Sequence, residues 1–326
     1  MENINEKKPL VILTGPTAVG KTNLSIRLAK IIDAEIVSAD SMQIYRYMDI
    51  GSAKISNEEM NGVRHYLIDE LMPDEPFNVV LFQKRAEAAL QQIYEKGKIP
   101  LIVGGTGFYI QSVLYGIDFE QTKEDTAYRQ ELVRLLNEKG PHYLHEMLAK
   151  ADPEAAREIH ANNSKRVIRA MEYYHLTGTP ISVHNEVQRK KESPYACCYF
   201  VLSDDRASLY ERIDARVSQM IKDGLLKEVM HLKEMGYDKS LISMQGLGYK
   251  ELLAYLEGEY PLEEAVRIIK RDTRHFAKRQ LTWFRREKDV IWMNKKDYGY
   301  DEEKILAQMC ECIGMKTDRK RVDYDE

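Results

Sequence analysis

The sequence predicts an α/β fold, a parallel sheet covered by helices on both faces with a helical insertion domain, and three features predict it. Short apolar runs, several of them rich in β-branched residues, recur at 9–14, 35–39, 65–69, 99–103, 197–202 and 290–293. Most are separated by helix-length segments, the alternation expected of strands joined by crossover helices. A glycine-rich loop also connects the first run to a helical pattern over 21–32. The chain has 326 residues, 44 % of them hydrophobic and 31 % charged, enough for a sizeable core and about two domains.

Taken in order, 9–14 reads as a buried strand and 21–32 as a helix that opens directly after the loop. The runs at 35–39, 65–69 and 99–103 continue the sheet. From 123 to about 189 the pattern changes to successive helix signals without a convincing strand. Asp152, Pro153 and Glu154 open one helix there, Asn162 and Asn163 cap another, and Gly178 with Pro180 ends it. The expected division is therefore a core at 1–119, a helical insertion at 120–195, the rest of the core at 196–296 and a charged tail at 297–326. Segments 207–235 and 262–286 read as long helices returning to the core, and the tail as fraying towards its end.

Several classes are set aside by composition. No run approaches the roughly 18–20 apolar residues of a membrane span, and the first eight residues are polar, so a cytosolic protein is expected. Cys197 and Cys198 are adjacent and Cys310 and Cys312 form C-x-C, which is not zinc-finger spacing, so reduced structural cysteines are expected. A net charge of −4 gives no sign of nucleic-acid binding on average. An average can hide a local patch.

Residues Gly15, Pro16, Thr17, Ala18, Val19, Gly20, Lys21 and Thr22 match G-x-x-x-x-G-K-[ST] at every fixed position, between a predicted strand and a predicted helix. That predicts a P-loop NTPase-like core. Glycines there let backbone N–H groups converge on phosphate oxygens, while Lys21 supplies charge and Thr22 a Mg²⁺ ligand. The loop recognises linked phosphates and not a base, so the ligand can be any diphosphate. The run at 99–103 ends in Gly104, Gly105, Thr106 and Gly107, without the metal-holding aspartate usual in hydrolytic relatives of such loops. These glycines read equally as a tight turn or as a ligand contact through Thr106. Asp40 closes the run 35–39, where a carboxylate either accepts a proton from a nucleophile or caps the following turn.

Between Lys270 and Lys288 stand eight lysines and arginines, including Arg271, Arg274, Lys278, Arg279 and Arg285, against Asp272 and Glu287. Phe276, Trp283 and Phe284 are interleaved. Phosphate neutralisation with ring stacking suits a single-stranded RNA loop, and a solvated basic helix with core aromatics has the same pattern.

Five segments occur in one order: 15–22, Asp40-Ser41-Met42-Gln43-Ile44-Tyr45, 104–109, Gln245-Gly246-Leu247-Gly248-Tyr249-Lys250-Glu251, and Lys278-Arg279-Gln280-Leu281-Thr282-Trp283-Phe284-Arg285. Together they resemble the tRNA dimethylallyltransferases, or tRNA isopentenyltransferases, of the bacterial type, over about residues 9–293. The resemblance implies transfer of a dimethylallyl group from its diphosphate to the exocyclic amine of the adenosine immediately 3′ of the anticodon. It implies that the phosphate loop holds the donor's diphosphate, with Mg²⁺ at Thr22, and that Asp40 is general base or orienting acceptor for the amine. Thr106 and Arg216, the latter matched less securely, would stabilise the leaving group. Asp40, Ser41, Met42, Gln43 and Thr106 would lie against the RNA. So would the patch of Asn163, Ser164, Lys165, Arg166, Val167 and Arg169, which reads otherwise as surface charges flanking a buried Val167 and Ile168. Gln245, Gly246, Gly248 and Tyr249 would line a channel for the extruded base or hold the displaced backbone, and Lys278, Arg279, Gln280, Trp283 and Arg285 would contact tRNA. A zinc finger appended in eukaryotic relatives has no counterpart here, so zinc is not expected. A monomer without an obligate protein partner or membrane contact is the simplest expectation. A kinase using Asp40 on a hydroxyl, and a nucleotide-gated RNA-binding protein, are the other two readings.

Overall fold

The first apolar run forms strand β1 (Lys8–Thr14), which runs through the phosphate loop into helix α1 (Lys21–Ile31). The computed structural model describes residues 7–119 and 125–322, with side chains as far as 314. Strands β2 (Ala34–Ala39), β3 (His65–Tyr66), β4 (Ile99–Gly104), β5 (Tyr195–Ser203) and β6 (Val290–Asn294) complete one six-stranded sheet in the order β3-β2-β4-β1-β5-β6. Every pairing is parallel. The expected strand at 65–69 shortens to two residues, because Leu67 and Asp69 take positive φ and turn the chain out of the ladder.

Side chains alternate across the sheet with period two, so both faces of its central strands are apolar. Val11, Leu13, Ile36, Leu101, Phe200 and Met293 form one buried cluster with Leu24 and Leu28 of α1 and with Ile305 and Met309 of helix α13 (Glu302–Val322). Helix α2 (Val79–Glu95) packs on β2 and β4, with Phe82, Leu90 and Ile93 buried, and on α3 (Gly107–Leu114). Helices thus cover the sheet as α/β topology requires. The segment expected as a charged tail is therefore largely a helix docked on the core. Ile305, Leu306, Met309 and Ile313 recur at helical spacing and are buried, which ties it down. Its last residues, 323–326, and the N-terminal 1–6 lie outside the described residues.

The long helix expected over 207–235 is two helices, α9 (Arg206–Asp223) and α10 (Leu225–Glu234). Gly224 separates them in the left-handed conformation, φ 105°, which favours glycine and interrupts the helix. Helices α11 (Tyr249–Leu256) and α12 (Leu262–Phe284) follow. No described helix is long and apolar enough to cross a membrane, and no disulfide forms among the described residues.

Packing divides the chain into two units, residues 1–114 with 193–326 and residues 115–192. The second holds α4 (Thr126–Lys139), α5 (Pro141–Ala151), α6 (Pro153–Glu158), α7 (Ser164–Thr177) and α8 (Ile181–Arg189) around Leu132, Leu144, Leu148, Val167, Ile168 and Met171. Asp152 caps α6 through Ala155 N–H at 2.9 Å and accepts Ser182 N–H at 2.9 Å and its hydroxyl at 2.7 Å. Asn163 stands at the start of α7 without a side-chain cap bond, and Gly178 ends that helix. Residues 120–124, where the insertion was expected to begin, lie outside the described residues.

Candidate active site

Ligand sites of parallel sheets lie beyond the carboxyl ends of the strands, and here β1, β2 and β4 end together. The phosphate loop leads into α1 with Gly20 as N-cap, φ 98°, no side-chain cap and no acid in the first turn. Its first amide donors are thereby left for an anion. Lys21 Nζ donates to the carbonyls of Gly15, at 2.9 Å, and Pro16, at 2.8 Å, closing the loop over its own lysine.

Strand β4 lies between β1 and β2, so Asp40 and the phosphate loop are not on neighbouring strands. Glycine lets them meet. A Cβ at Gly104 would lie 2.2 Å from Ala39 O, so the end of β2 closes directly on the end of β4. Thr106 N–H donates to Ala39 O at 3.2 Å, and the Thr14 hydroxyl donates to Gly104 O at 2.7 Å. The glycines therefore act as a close-approach turn, with Thr106 half-buried at its apex.

Three charged groups come together above this seam. Burial, with the nearby Arg216 charge, pulls Lys21 down to about 7, and Asp40 partly offsets this. Burial raises Asp40 above the usual carboxylate range against the pull of two backbone N–H groups, Lys21 and Arg216. Arg216 is lowered by burial and held up by Asp40. Each group thus senses the others. Arg216 reaches the site from α9, one turn beyond Arg212, whose Nε donates to Ala18 O at 3.0 Å and whose guanidinium pairs with the buried Asp204. Ala18 itself has φ 63°, and Arg212 braces that strained corner of the loop.

Asp40 Oδ1 accepts Met42 N–H at 2.8 Å and Gln43 N–H at 3.4 Å, so the carboxylate does cap its turn while it faces Lys21 and Arg216. Gln43 is turned inward: its amide donates to Ser52 O at 3.4 Å and Ala53 O at 3.2 Å, and Ser38 donates to its Oε1 at 3.1 Å. Ser41 and Met42 are half-buried, and a Cβ at Gly246 would lie 2.6 Å from Met42 Cε. The 40–43 and 245–249 segments are therefore neighbours. Gln245 is exposed, with its amide on Lys239 O, and Gly248 N–H donates to Glu251 Oε2 at 2.8 Å.

Several RNA-contact expectations are corrected by burial. Val167 is 0 % exposed inside the helical unit, on the stripe with Ala170 and Met171, and has no surface to offer. Asn163, Lys165, Arg166 and Arg169 are exposed beside it, with Ser164 half-buried. Tyr249 is 1 % exposed and donates its hydroxyl to Glu228 at 2.7 Å. Gln280 is buried, with both amide ends bonded inside the protein, and Phe284 is core. Trp283 is half-buried against Gly107, with Phe108 edge-on at 6.0 Å. Arg274 is taken by Asp214, at 2.7 and 2.6 Å, and joins α12 to α9. Lys278, Arg279, Arg285 and Arg286 remain exposed.

Sequence reading missed the supports. Glu228 accepts N–H groups from Asp49 at 3.0 Å, Ile50 at 2.7 Å and Gly51 at 3.1 Å, anchoring the loop that follows Asp40. Lys295 brings its ammonium to 3.2 Å from where a Cβ on Gly20 would stand. Neither had a signal, because both act on residues far away in the chain. Gln280 did have one: Ala277, Gln280 and Phe284 follow helical spacing and form the buried stripe.

Thr22 is exposed in the first turn of α1. A hydroxyl completed by phosphate oxygens and water suits Mg²⁺, which prefers few protein ligands in phosphate sites, so the residues fit that ion.

A family model described as IPP transferase matches residues 43–287. The chain is 63 % identical over 309 residues to a tRNA dimethylallyltransferase of Lachnoclostridium phytofermentans, covering 95 % of this chain and 98 % of the relative. It is 52 % identical to that of Acetivibrio thermocellus, covering 91 % and 95 %. Among solved structures it is similar to the full-length tRNA isopentenylpyrophosphate transferase of Bacillus halodurans, with a TM-score of 0.73, 42 % identity and coverage of 97 % and 100 %. A eukaryotic dimethylallyltransferase acting on tRNA gives a TM-score of 0.74 at 28 % identity, covering 88 % of this chain and 74 % of that one.

Proposed function

The chain belongs to the IPP transferase family and transfers the dimethylallyl group to tRNA; on that premise we propose how its residues do so and at which base. The acceptor is the exocyclic amine of the adenosine immediately 3′ of the anticodon, the donor is dimethylallyl diphosphate, and diphosphate leaves. One juxtaposition carries the reading: Lys21 of α1, Asp40 at the end of β2 and Arg216 of α9 lie near enough at the strand ends for each charge to act on the others.

The amine nitrogen supplies the electron pair of the new C–N bond, the allylic C–O bond breaks, and its electron pair stays on the diphosphate. Negative charge grows on the leaving oxygens, so cations fixed there lower the barrier. Lys21, Arg216 and the amides of the phosphate loop are that set, with Thr106 within the same seam. Asp40 takes the proton that the amine loses. Thr22 would hold Mg²⁺, which when bound adds charge neutralisation on the diphosphate. The anticodon stem-loop docks on the exposed cations Lys278, Arg279 and Arg285, with Ser41 and Met42 close to the target base. The cytoplasm is the compartment this substrate implies.

The direct test uses purified protein, Mg²⁺, labelled dimethylallyl diphosphate and unmodified tRNA. Label on the single adenosine 3′ of the anticodon is expected. Label elsewhere, or none, refutes the assignment. Changing Lys278 and Arg279 together to alanine is expected to weaken tRNA binding. Each phosphate contact to a single strand contributes about 0.7 to the slope of log K against log salt, so the slope should flatten by about 1.4. An unchanged slope would place this face outside the interface.

A further inference from the structure

The cationic face of α12 and the phosphate loop are joined through one buried amide. Gln280 is 7 % exposed, and a buried amide must find partners for both of its ends. Its Oε1 accepts Thr17 N–H at 2.9 Å, and its Nε2 donates to Gly105 O at 2.9 Å. Thr17 lies inside the loop that receives the diphosphate. Gly105 immediately precedes Thr106, in the turn that brings Asp40 and the loop together. The fit is close, because a Cβ at Gly105 would lie 2.1 Å from Gln280 Nε2. One turn further along α12, Trp283 fills the space above Gly107, where a Cβ would be 2.2 Å from its Cδ1. Only a side chain with one donor and one acceptor on a single planar group makes both bonds at once.

We propose that Gln280 is a positioning residue for the transfer reaction, clipping the diphosphate loop at Thr17 to the Thr106 turn at Gly105 and fixing both against the tRNA-binding helix. This rests on the function proposed above and assigns Gln280 to the donor side of the reaction. Its neighbours Lys278 and Arg279 point to solvent and serve the RNA.

The test compares the full-length wild type with Q280M, which keeps bulk but loses both polar ends, and Q280E. The readouts are the Kd of inorganic diphosphate, KM and kcat with dimethylallyl diphosphate, and the Kd and salt slope of tRNA. Both variants should bind diphosphate about tenfold more weakly or worse at pH 8, since each loses a bond to a buried partner. tRNA affinity and its salt slope should be unchanged. The two variants should then part with pH. The ionised carboxylate of Q280E accepts from Thr17 but cannot donate to Gly105 O, whereas its protonated form can. The affinity of Q280E relative to wild type should therefore recover as pH falls through the titration of the introduced carboxyl, while that of Q280M stays low. Q280M adds no charge, so its ratio to wild type at each pH cancels the titration of Lys21. Weakened tRNA binding with intact diphosphate binding would return Gln280 to the RNA interface and overturn the proposal. Wild-type diphosphate affinity in both variants would overturn it, and so would a Q280E ratio that stays low once the introduced carboxyl has protonated. If Q280M fails to fold in a thermal melt, the Q280E ratio decides alone. A wild type that binds diphosphate but labels no tRNA would sink the functional reading instead, and the diphosphate comparison would still stand.

Discussion

Asp40→Ala is expected to lower transfer by about 10²–10⁴-fold while tRNA binding persists, the usual contribution of a positioned acid–base group. The alanine variant by itself does not separate two jobs, because Asp40 Oδ1 also caps the turn of Met42 and Gln43. Asp40→Asn does separate them. Asparagine caps about as well as aspartate but takes up no proton in the working pH range. If capping were all that Asp40 did, the asparagine variant would turn over normally; loss nearly as deep as in the alanine variant is the expected result. The pH profile gives a second measure. Burial raises Asp40 above the usual carboxylate range, so its base form is lost at a higher pH than for an exposed aspartate. Transfer should fall as pH drops through that raised value, and this acid limb should vanish in Asp40→Asn. An acid limb that survives belongs to another group.

Replacing Lys21 is expected to cost about 10²–10³-fold in transfer, the scale of losing one fixed donor at a developing oxyanion. The more diagnostic effect lies in the donor's pH dependence. In the free enzyme burial and Arg216 lower Lys21 to about 7, so at pH 8 most molecules carry a neutral amine. A bound diphosphate favours the ammonium and raises that value. Binding above pH 7 must then take up a proton, and affinity should fall by up to tenfold per pH unit until the bound-state value is reached. Below pH 7 the lysine is already charged and this contribution levels off. Lys21→Arg, which does not titrate in this range, should lose that part of the slope whatever its absolute affinity. Calorimetry of inorganic diphosphate in buffers of different ionisation enthalpy measures the proton count. Equal uptake by wild type and Lys21→Arg at pH 8 would show that Lys21 is charged throughout. Asp40→Asn should shift the wild-type midpoint down, because Asp40 helps Lys21 to keep its proton.

Much of this site is legible in local pattern. The phosphate loop depends on local chemistry, two glycines and a lysine at set spacing before a helix, and it forms where the pattern places it. Asp40 could be read as an acid at a strand end, though not which of its two roles it fills. The structure answers that it caps its turn and faces Lys21 and Arg216 together. Burial was not legible where motif order alone carried the expectation. Val167, Tyr249 and Gln280 lie in segments that resemble RNA-contacting motifs, yet each is buried. In the charged C-terminal segment, four buried apolar side chains at helical spacing outweigh the flanking charge and dock a helix on the sheet.

The sequence by itself determined the parallel α/β core, the glycine-rich turn from β1 into α1 and the family, because each is carried by short-range pattern or by the order of motifs. The tertiary structure decided what those motifs touch. Placing β4 between β1 and β2 makes Gly104 and Gly105 the gap through which Asp40 meets Lys21. Packing α9 and α12 beside that gap brings in Arg216 and Gln280, more than a hundred residues away along the chain. Such meetings depend on strand order and close packing between distant segments, and a linear pattern with periods of two and 3.6 residues encodes which face a residue occupies but not what lies opposite it.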